Sequence, residues 1–118
     1  MTQRFARDAR LRNRAQFTVV QDGGRRVATR HMTFFGLPNT LERDRLGIIA
    51  SRRVGHAVLR NRAKRRLREF FRLATADRCG QGDALDLVVI ARHEMISAPF
   101  ALVQSEFATA VKKLRPAR

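Results

Sequence analysis

Apolar residues recur at helical spacing through the middle of the chain. Counted from Leu59, they stand at i, i+4, i+8, i+11, i+12 and i+15, the spacing of one helical face. The residues on this face are Leu59, Ala63, Leu67, Phe70, Phe71 and Ala74. The pattern predicts a helix over residues 57–74 with one face in the core. The residues on the opposite side of the helix, mostly cations, are Asn61, Arg62, Arg65, Arg68 and Arg72.

A shorter helix is predicted near the start of the chain, over residues 14–21. Asn13 is a suitable N-cap because its side chain can accept a hydrogen bond from the first turn. Phe17 and Val20 would share the inner face, and the glycine pair at 23–24 would end the helix.

A third helix is predicted close to the end of the chain. Ser97 would cap it, and Pro99 would stand in the first turn, where a missing N–H costs nothing. The residues of its inner face are Phe100, Val103, Phe107, Val111 and Leu114.

Two segments between the first two helices have the alternation typical of strands. Residues 26–36 place Phe34 on one face and Val27 and Phe35 on the other. Residues 45–50 form a second strand. The short polar link between the two predicts that they pair antiparallel.

The continuous apolar run at residues 85–91 predicts a strand covered on both faces. With the strand at 45–50 and the helix between them it forms a crossover unit, whose strands are expected to be parallel neighbours. The pattern predicts an α/β two-layer sandwich of the α+β type, ordered α-β-β-(β)-α-β-α, with helices packed on three or four strands. We predict one domain over residues 1–118, with 1–9 and 115–118 flexible.

The charge of the chain indicates a polyanionic partner. Its 118 residues contain 25 Lys or Arg and 10 Asp or Glu, a formal net charge of +15. Self-repulsion at that charge opposes compactness, and nucleic acid is the usual partner that offsets it. No segment approaches the roughly 18 apolar residues of a membrane span. The single cysteine, Cys79, excludes an internal disulfide, so we predict a cytoplasmic protein without a membrane partner.

The residue patterns of a catalytic site are missing. The three histidines, His31, His56 and His93, have no i+4 partner and no Cys-x-x-Cys neighbour. The acids are scattered, and none form the paired carboxylates that hold two metal ions. Gly80 and Gly82 lack the Lys-Ser/Thr of a phosphate-binding loop. We therefore expect little or no catalysis by the polypeptide alone, and no metal bound directly by it.

Arginines and aromatic rings remain as candidates for function. Lys and Arg bind phosphates with salt-dependent affinity, and aromatic rings stack on unpaired bases. Phe17 and Phe35 are the stacking candidates, with a place in the core as the alternative for each. Asn61 is a poor helix former between two arginines. It could bond a ribose, a base edge or phosphate-bound water, or close a local bond in the first turn of its helix.

The basic stretch and its flanks form a long and specific motif. Its residues are Ser51-Arg52-Arg53-Val54-Gly55, Ala57-Val58, Arg60-Asn61-Arg62, Lys64-Arg65 and Arg68-Glu69. The flanks are L-R-N-R-x-x-F ending at Phe17, D-L-V-V-I-A-R at 86–92, and the closing amphipathic helix. Over residues 11–114 the sequence resembles the protein subunit of bacterial ribonuclease P, whose signature is often called the RNR motif.

The resemblance implies a holoenzyme that removes the 5′ leader from precursor transfer RNA as an endoribonuclease. Its RNA subunit would hold the active site with Mg²⁺, and the protein would bind no cofactor alone. The implied partners are that catalytic RNA and precursor tRNA, with no obligate protein partner. The fold implied has a left-handed crossover, although right-handed crossovers are the general rule.

The resemblance also assigns two sets of residues. Those expected to contact the catalytic RNA, and to help position metal near the cleavage site, are Arg60, Asn61, Arg62, Lys64, Arg65 and Arg68. Those expected to line the cleft for the single-stranded leader are Phe17, Phe35, Ser51, Arg52 and Arg53. The two arginines replace the family's usual Lys-Lys and keep its charge. Gln21 stands where many members carry a second aromatic residue, so leader stacking there is expected to be weaker.

Two other functions fit the composition. A ribosomal or ribosome-assembly protein with no enzymatic role would bind ribosomal RNA instead. A self-sufficient nuclease would cleave RNA unaided, and the missing acid–base and metal patterns argue against it.

Overall fold

The computed structural model describes residues 10–41, 43–76 and 84–115. Its elements are α1 (Arg14–Gly23), β1 (Arg25–Ala28), β2 (Met32–Pro38), β3 (Arg45–Ile49), α2 (Ala57–Ala74), β4 (Leu85–Ala91), a 3₁₀ helix (His93–Met95) and α3 (Phe100–Leu114). This order confirms the predicted fold class, with four strands. The predictions for residues 1–9 and 116–118 and for Cys79, Gly80 and Gly82 lie outside the described residues.

β4 is an interior strand of the sheet, whose order is β1-β2-β4-β3. It pairs in parallel with β3 and antiparallel with β2. All but one of its residues are buried, which confirms the prediction that it is covered on both faces. α2 connects the parallel neighbours β3 and β4 as predicted. The handedness of this crossover stays a prediction.

Residues 26–36 do not form the single strand that their alternation predicts. They belong to two antiparallel strands, β1 and β2, joined by a turn. The Thr29 hydroxyl closes this turn, donating to the Met32 carbonyl at 3.0 Å and accepting from the Met32 amide at 3.1 Å. Because the turn resets the alternation, Val27 pairs with Phe34 and lies on its face, not on that of Phe35. Threonine is common in strands, but its side chain can also form the hydrogen bonds that close a turn. The sequence pattern therefore did not predict this turn.

The predicted antiparallel pairing of β2 with β3 is also wrong. β4 lies between these two strands. The link between β2 and β3 is short enough for direct pairing, but β4 carries apolar side chains on both faces and buries them only in an interior position. Asp86 of β4 ties the link in place, accepting hydrogen bonds from Asn39 Nδ2 and Arg45 Nε, each at 2.8 Å.

The two predicted helix caps have different outcomes. Asn13 caps α1 as predicted: its Oδ1 accepts from the Gln16 amide at 3.0 Å, and Gln16 Oε1 accepts from the Asn13 amide at 3.2 Å. Ser97 does not cap α3. Pro99 occupies the N-cap position, and no side chain caps that end. The fixed φ of proline suits the extended residue before a helix as well as the first turn.

The helices cover both faces of the sheet. α2 and α3 pack on the face that carries Phe34, whose ring meets Phe107 edge-on at a centroid distance of 5.4 Å. α1 packs on the opposite face through Val20, against Val88 of β4. Strand alternation directs the two sets of side chains to opposite faces, as the sequence predicts for Phe34 and Phe35.

Arg115 is held in place, although the sequence assigns it to a flexible tail. Its guanidinium donates to both carboxylate oxygens of Asp44, at 2.6 and 2.8 Å. Asp44 is buried and also accepts the Leu85 amide at 2.8 Å. A buried carboxylate requires such partners, so the end of α3 is fastened to the start of β3.

Candidate nucleic-acid interface

The solvent side of α2 carries the cations that the sequence predicts. We call the cationic face the set Arg60, Asn61, Arg62, Lys64, Arg65 and Arg68. Asn61, Arg62 and Arg65 are exposed, and the other three are half-buried. The inner side of the same helix buries Ala63, Leu67, Phe70 and Phe71, as predicted. The amphipathic spacing thus directs six polar side chains away from the core.

Asn61 is free to bond a ligand. Within the described part of the chain its side chain makes no hydrogen bond to protein, so the local bond in the first turn of α2 is not formed. The helix begins at Ala57 after His56, which also forms no side-chain cap. An exposed amide offers both donors and an acceptor to RNA.

Two arginines of α2 are engaged within the protein. Arg66 Nη1 donates to three backbone carbonyls that follow β4: those of Met95 (3.4 Å), Ile96 (3.5 Å) and Ala98 (3.2 Å). Arg72 Nη2 donates to Glu69 Oε2 at 2.6 Å. This hydrogen bond lowers the pKa of Glu69 and raises the pKa of Arg72. Arg66 is thereby directed toward the 3₁₀ helix and away from the cationic face.

A tight turn precedes α2 and presents two further arginines. The Val54 amide donates to the Ser51 carbonyl at 3.0 Å, and the Gly55 amide donates to the Arg52 carbonyl at 3.1 Å. Gly55 has φ +145°, a conformation that favours glycine, so this residue suits the turn. Ser51, Arg52 and Arg53 are all exposed. Their side chains therefore stand in solvent at the end of β3.

A cleft of about 170 Å³ lies where α1 and α2 meet the β3 edge. We call it the Phe17 cleft. Its lining residues are Arg10, Leu11, Phe17, Leu46, Ile48, Lys64 and Arg68. Among the described residues, the lining combines four apolar side chains with three cations and contains no carboxylate. Such a combination suits a nucleotide, whose base packs on apolar surface and whose phosphate pairs with the cations.

The cleft joins residues that the sequence assigns to separate surfaces. Lys64 and Arg68, expected on the catalytic RNA, share its wall with Phe17, expected on the leader. Burial lowers the pKa of Arg68, and the neighbouring charge of Arg10 adds to this effect. The crowding of positive charge would be relieved by a bound phosphate. The RNA that each residue contacts stays a prediction.

Gly47 of β3 allows the Phe17 ring to lie close to the sheet. A Cβ placed on Gly47 of β3 would lie 2.7 Å from Phe17 Cζ, which real structures do not tolerate. The ring is half-buried, between full burial in the core and full exposure. The absence of a side chain at Gly47 therefore leaves room for the Phe17 ring.

Phe35 does not line the Phe17 cleft. It is half-buried beside Val20 and Val88, in the cluster beneath α1, and its cross-strand partner is Arg26. Ser51 is likewise absent from the cleft lining. The five predicted leader residues are therefore spread over the α1 side of the sheet and the turn at 51–55 rather than gathered in one cavity.

Sequence reasoning missed Arg10 as a site residue. Arg10 forms a parallel bridge with Leu46 at the outer side of β3, and the Leu11 amide donates to the Leu46 carbonyl at 2.9 Å. Leu11 is buried, which fixes the segment before α1. A lone leucine among arginines was the available signal, but it is too short a pattern to predict a strand-like contact.

Two of the three histidines, His31 and His93, contact other parts of the protein. His31 Nδ1 pairs with Glu106 Oε2 of α3, and His93 Nδ1 lies 2.9 Å from the Val54 carbonyl oxygen. In the described ranges no group of three or more His, Cys, Asp or Glu residues could hold a metal ion. None of the helices described is long and apolar enough to cross a membrane.

Comparisons with known proteins agree with this geometry. The family model for Ribonuclease P matches residues 5–115. The Ribonuclease P protein component of Syntrophus aciditrophicus is 36% identical over 104 residues, which are 88% of this chain and 85% of that protein. The solved RNase P protein of Staphylococcus aureus has a TM-score of 0.76 at 30% identity, over 92% of this chain and 98% of that one. The protein from Thermotoga maritima has a TM-score of 0.77 at 28% identity, over 91% and 98%.

Proposed function

The chain belongs to the ribonuclease P protein family, and we propose that it binds the catalytic RNA and the 5′ leader of precursor tRNA during 5′ maturation. Membership makes it a component of an endoribonuclease that contains an RNA subunit. The observation that supports the finer proposal best is the position of the Phe17 cleft. It shares Lys64 and Arg68 with the cationic face, so one helix borders both RNA contacts.

The cationic face is proposed to bind the catalytic RNA. Its cations lie on the solvent side of α2, where each can meet a phosphate without moving the helix. Phosphate contacts release counterions and make affinity strongly salt-dependent. Asn61, exposed between Arg60 and Arg62, would add a hydrogen bond to a ribose or base edge.

The Phe17 cleft and the turn at residues 51–55 are proposed to bind the leader. A base would stack on the Phe17 ring, a contact worth about 1–3 kcal/mol. Arg52 and Arg53 would meet phosphates at the edge, with Ser51 beside them. Phe35 would take part only from the neighbouring area of the sheet, because it lies outside the cleft.

We propose that Mg²⁺ belongs to the RNA subunit. The residues that the structure describes do not form a site for such an ion. In this proposal the protein binds and orients RNA, and the polypeptide supplies no acid, base or nucleophile for cleavage.

Co-purification tests the proposed function against the ribosomal alternative. Wild-type protein recovered from its native cells should carry ribonuclease P RNA and precursor tRNA. The double variant Arg62→Glu/Arg65→Glu should lose both RNAs. Arg25→Glu/Arg30→Glu is the matched control, because it makes the same charge change at two exposed residues of the distant edge strand β1 and the turn that follows it. Recovery of ribosomal RNA in place of ribonuclease P RNA on the wild type would overturn the proposal.

A further inference from the structure

A side chain outside the assigned sites reaches the turn at residues 51–55. Within the turn, the amides of Val54 and Gly55 donate to the carbonyls of Ser51 and Arg52, whereas the carbonyl oxygen of Val54 bonds outside the turn. That oxygen accepts a hydrogen bond from His93 Nδ1 at 2.9 Å. The Val54 side chain is fully buried in the core. The turn is thus fixed on one side by core packing and on the other by the imidazole.

The backbone of His93 is itself firmly held. It follows β4, where the Arg92 amide donates to the His31 carbonyl at 3.1 Å. Met95 is fully buried, and its amide donates to the Arg92 carbonyl at 3.0 Å. Arg66 of α2 caps the carbonyls that follow. Because β3 and β4 are parallel neighbours, His93 and the turn lie at the same end of the sheet.

The partner atom fixes which nitrogen carries a proton. A carbonyl oxygen can only accept, so Nδ1 of His93 must donate. Both the neutral Nδ1–H tautomer and the imidazolium meet this requirement. An asparagine can place its Nδ2 amide close to the position of Nδ1, whereas an alanine offers no donor.

We propose that His93 is a positioning residue for the leader. By holding the Val54 carbonyl, it sets the direction of the backbone that carries Arg52 and Arg53. The inference rests on the proposed function, in which those two arginines lie at the edge of the leader cleft. Without the bond the turn visits other conformations, and the arginines must be ordered again each time RNA binds.

The test compares three variants in holoenzyme reconstituted with the cognate RNA subunit. His93→Ala removes the donor, His93→Asn keeps one, and His56→Ala removes a nearby exposed imidazole that forms no side-chain cap. The readout is the ratio of affinities for precursor and mature tRNA. His93→Ala should reduce this ratio roughly threefold to tenfold, as for one lost hydrogen bond. His93→Asn should restore it to within about twofold, and His56→Ala should leave it unchanged.

Amide hydrogen exchange supplies a readout that does not depend on leader binding. In free protein, exchange at the Gly55 amide should accelerate in His93→Ala and stay near the wild-type rate in His93→Asn. An unchanged ratio and unchanged exchange in His93→Ala would overturn the proposal. If the affinity ratio falls equally in His93→Ala and His93→Asn while exchange at the Gly55 amide stays unaltered, the proposal is also overturned. That result would indicate direct contact of the imidazole with RNA. If wild-type protein shows no preference for precursor tRNA, the proposed function fails, and the exchange result still decides whether His93 orders the turn.

Discussion

At the scale of single residues, Gly47 and Phe17 define the cleft together. Neither is informative alone in the sequence, where a glycine in a strand and a phenylalanine in a helix are ordinary. The sequence predicted Phe17 as a stacking candidate with a core position as the alternative. The structure gives a half-buried ring beside two cations of α2, a position that fits stacking. Gly47 could not be predicted, because its role depends on a ring thirty residues earlier in the chain.

Gly47→Ala should displace the Phe17 ring. Its Cβ would lie 2.7 Å from Phe17 Cζ, so the ring must leave its place against β3. We expect the precursor-over-mature affinity ratio of the holoenzyme to fall roughly fivefold or more, as for a lost stacking contact of at least about 1 kcal/mol. Affinity for the RNA subunit should stay the same. Gly23→Ala is the control, because its Cβ would lie 3.9 Å from Leu37 Cδ1, an ordinary contact. A normal ratio in Gly47→Ala would show that the ring does not bind the leader.

Arg65→Ala should weaken binding of the RNA subunit and reduce its salt dependence. One lost phosphate contact lowers the slope of log affinity against log salt by about one. The measurement is a binding titration at several salt concentrations. Arg25→Ala on β1 removes the same charge far from α2 and should preserve the slope. Equal slopes for Arg65→Ala and wild type would remove Arg65 from the interface.

At the scale of elements, the limits of α2 were predicted without error, and those of the hairpin were not. The amphipathic spacing continues over all eighteen residues of α2, so it defines where the helix begins and ends. The β1–β2 turn has no glycine or proline, and its threonine suits both a strand and a turn. The periodicity of α2 places Arg62 opposite the core, where it is exposed, but it does not predict the contact of Arg66 with the Met95 carbonyl of the 3₁₀ helix. That contact depends on where the fold places the segment between β4 and α3.

Arg66→Ala should therefore reduce the stability of the fold, whereas Arg62→Ala should weaken binding of the RNA subunit. Arg66→Ala leaves three carbonyls without their cation and should destabilise the fold by about 1 kcal/mol, since these hydrogen bonds are long. Arg62→Ala should change the free energy of unfolding by less than about 0.5 kcal/mol, as for an exposed residue. Urea titration measures both. The salt slope for RNA-subunit binding should fall only in Arg62→Ala. Loss of slope in Arg66→Ala would place that residue on the RNA instead.

At the scale of the whole molecule, the strand order could not be predicted from local pattern. Placing β4 between β2 and β3 depends on contacts between segments about forty to sixty residues apart. The same is true of the Phe17 cleft, which draws on the segment before α1, on α1 itself, on β3 and on α2. The resemblance to a known family supplied the list of residues. Only the fold brought Lys64 and Arg68 next to Phe17 and added Arg10.

The net charge of +15 makes the fold sensitive to anions. A ligand that binds only the folded state stabilises it by mass action. Inorganic phosphate should therefore raise the Tm above its value in chloride at equal ionic strength. Because Arg10 and Arg68 crowd one cleft, Arg68→Ala should show a smaller rise than wild type. Equal Tm values in both salts would contradict an anion site on the folded protein.

We propose that this protein enables an RNA subunit to remove the 5′ leader of precursor tRNA. The most direct measurement is the rate of leader removal by the cognate RNA subunit at low Mg²⁺, with and without the protein. We predict a large acceleration by wild-type protein for precursor with a single-stranded leader, and no cleavage by the protein alone. If the RNA subunit processes precursor equally well without the protein, the proposed function is wrong.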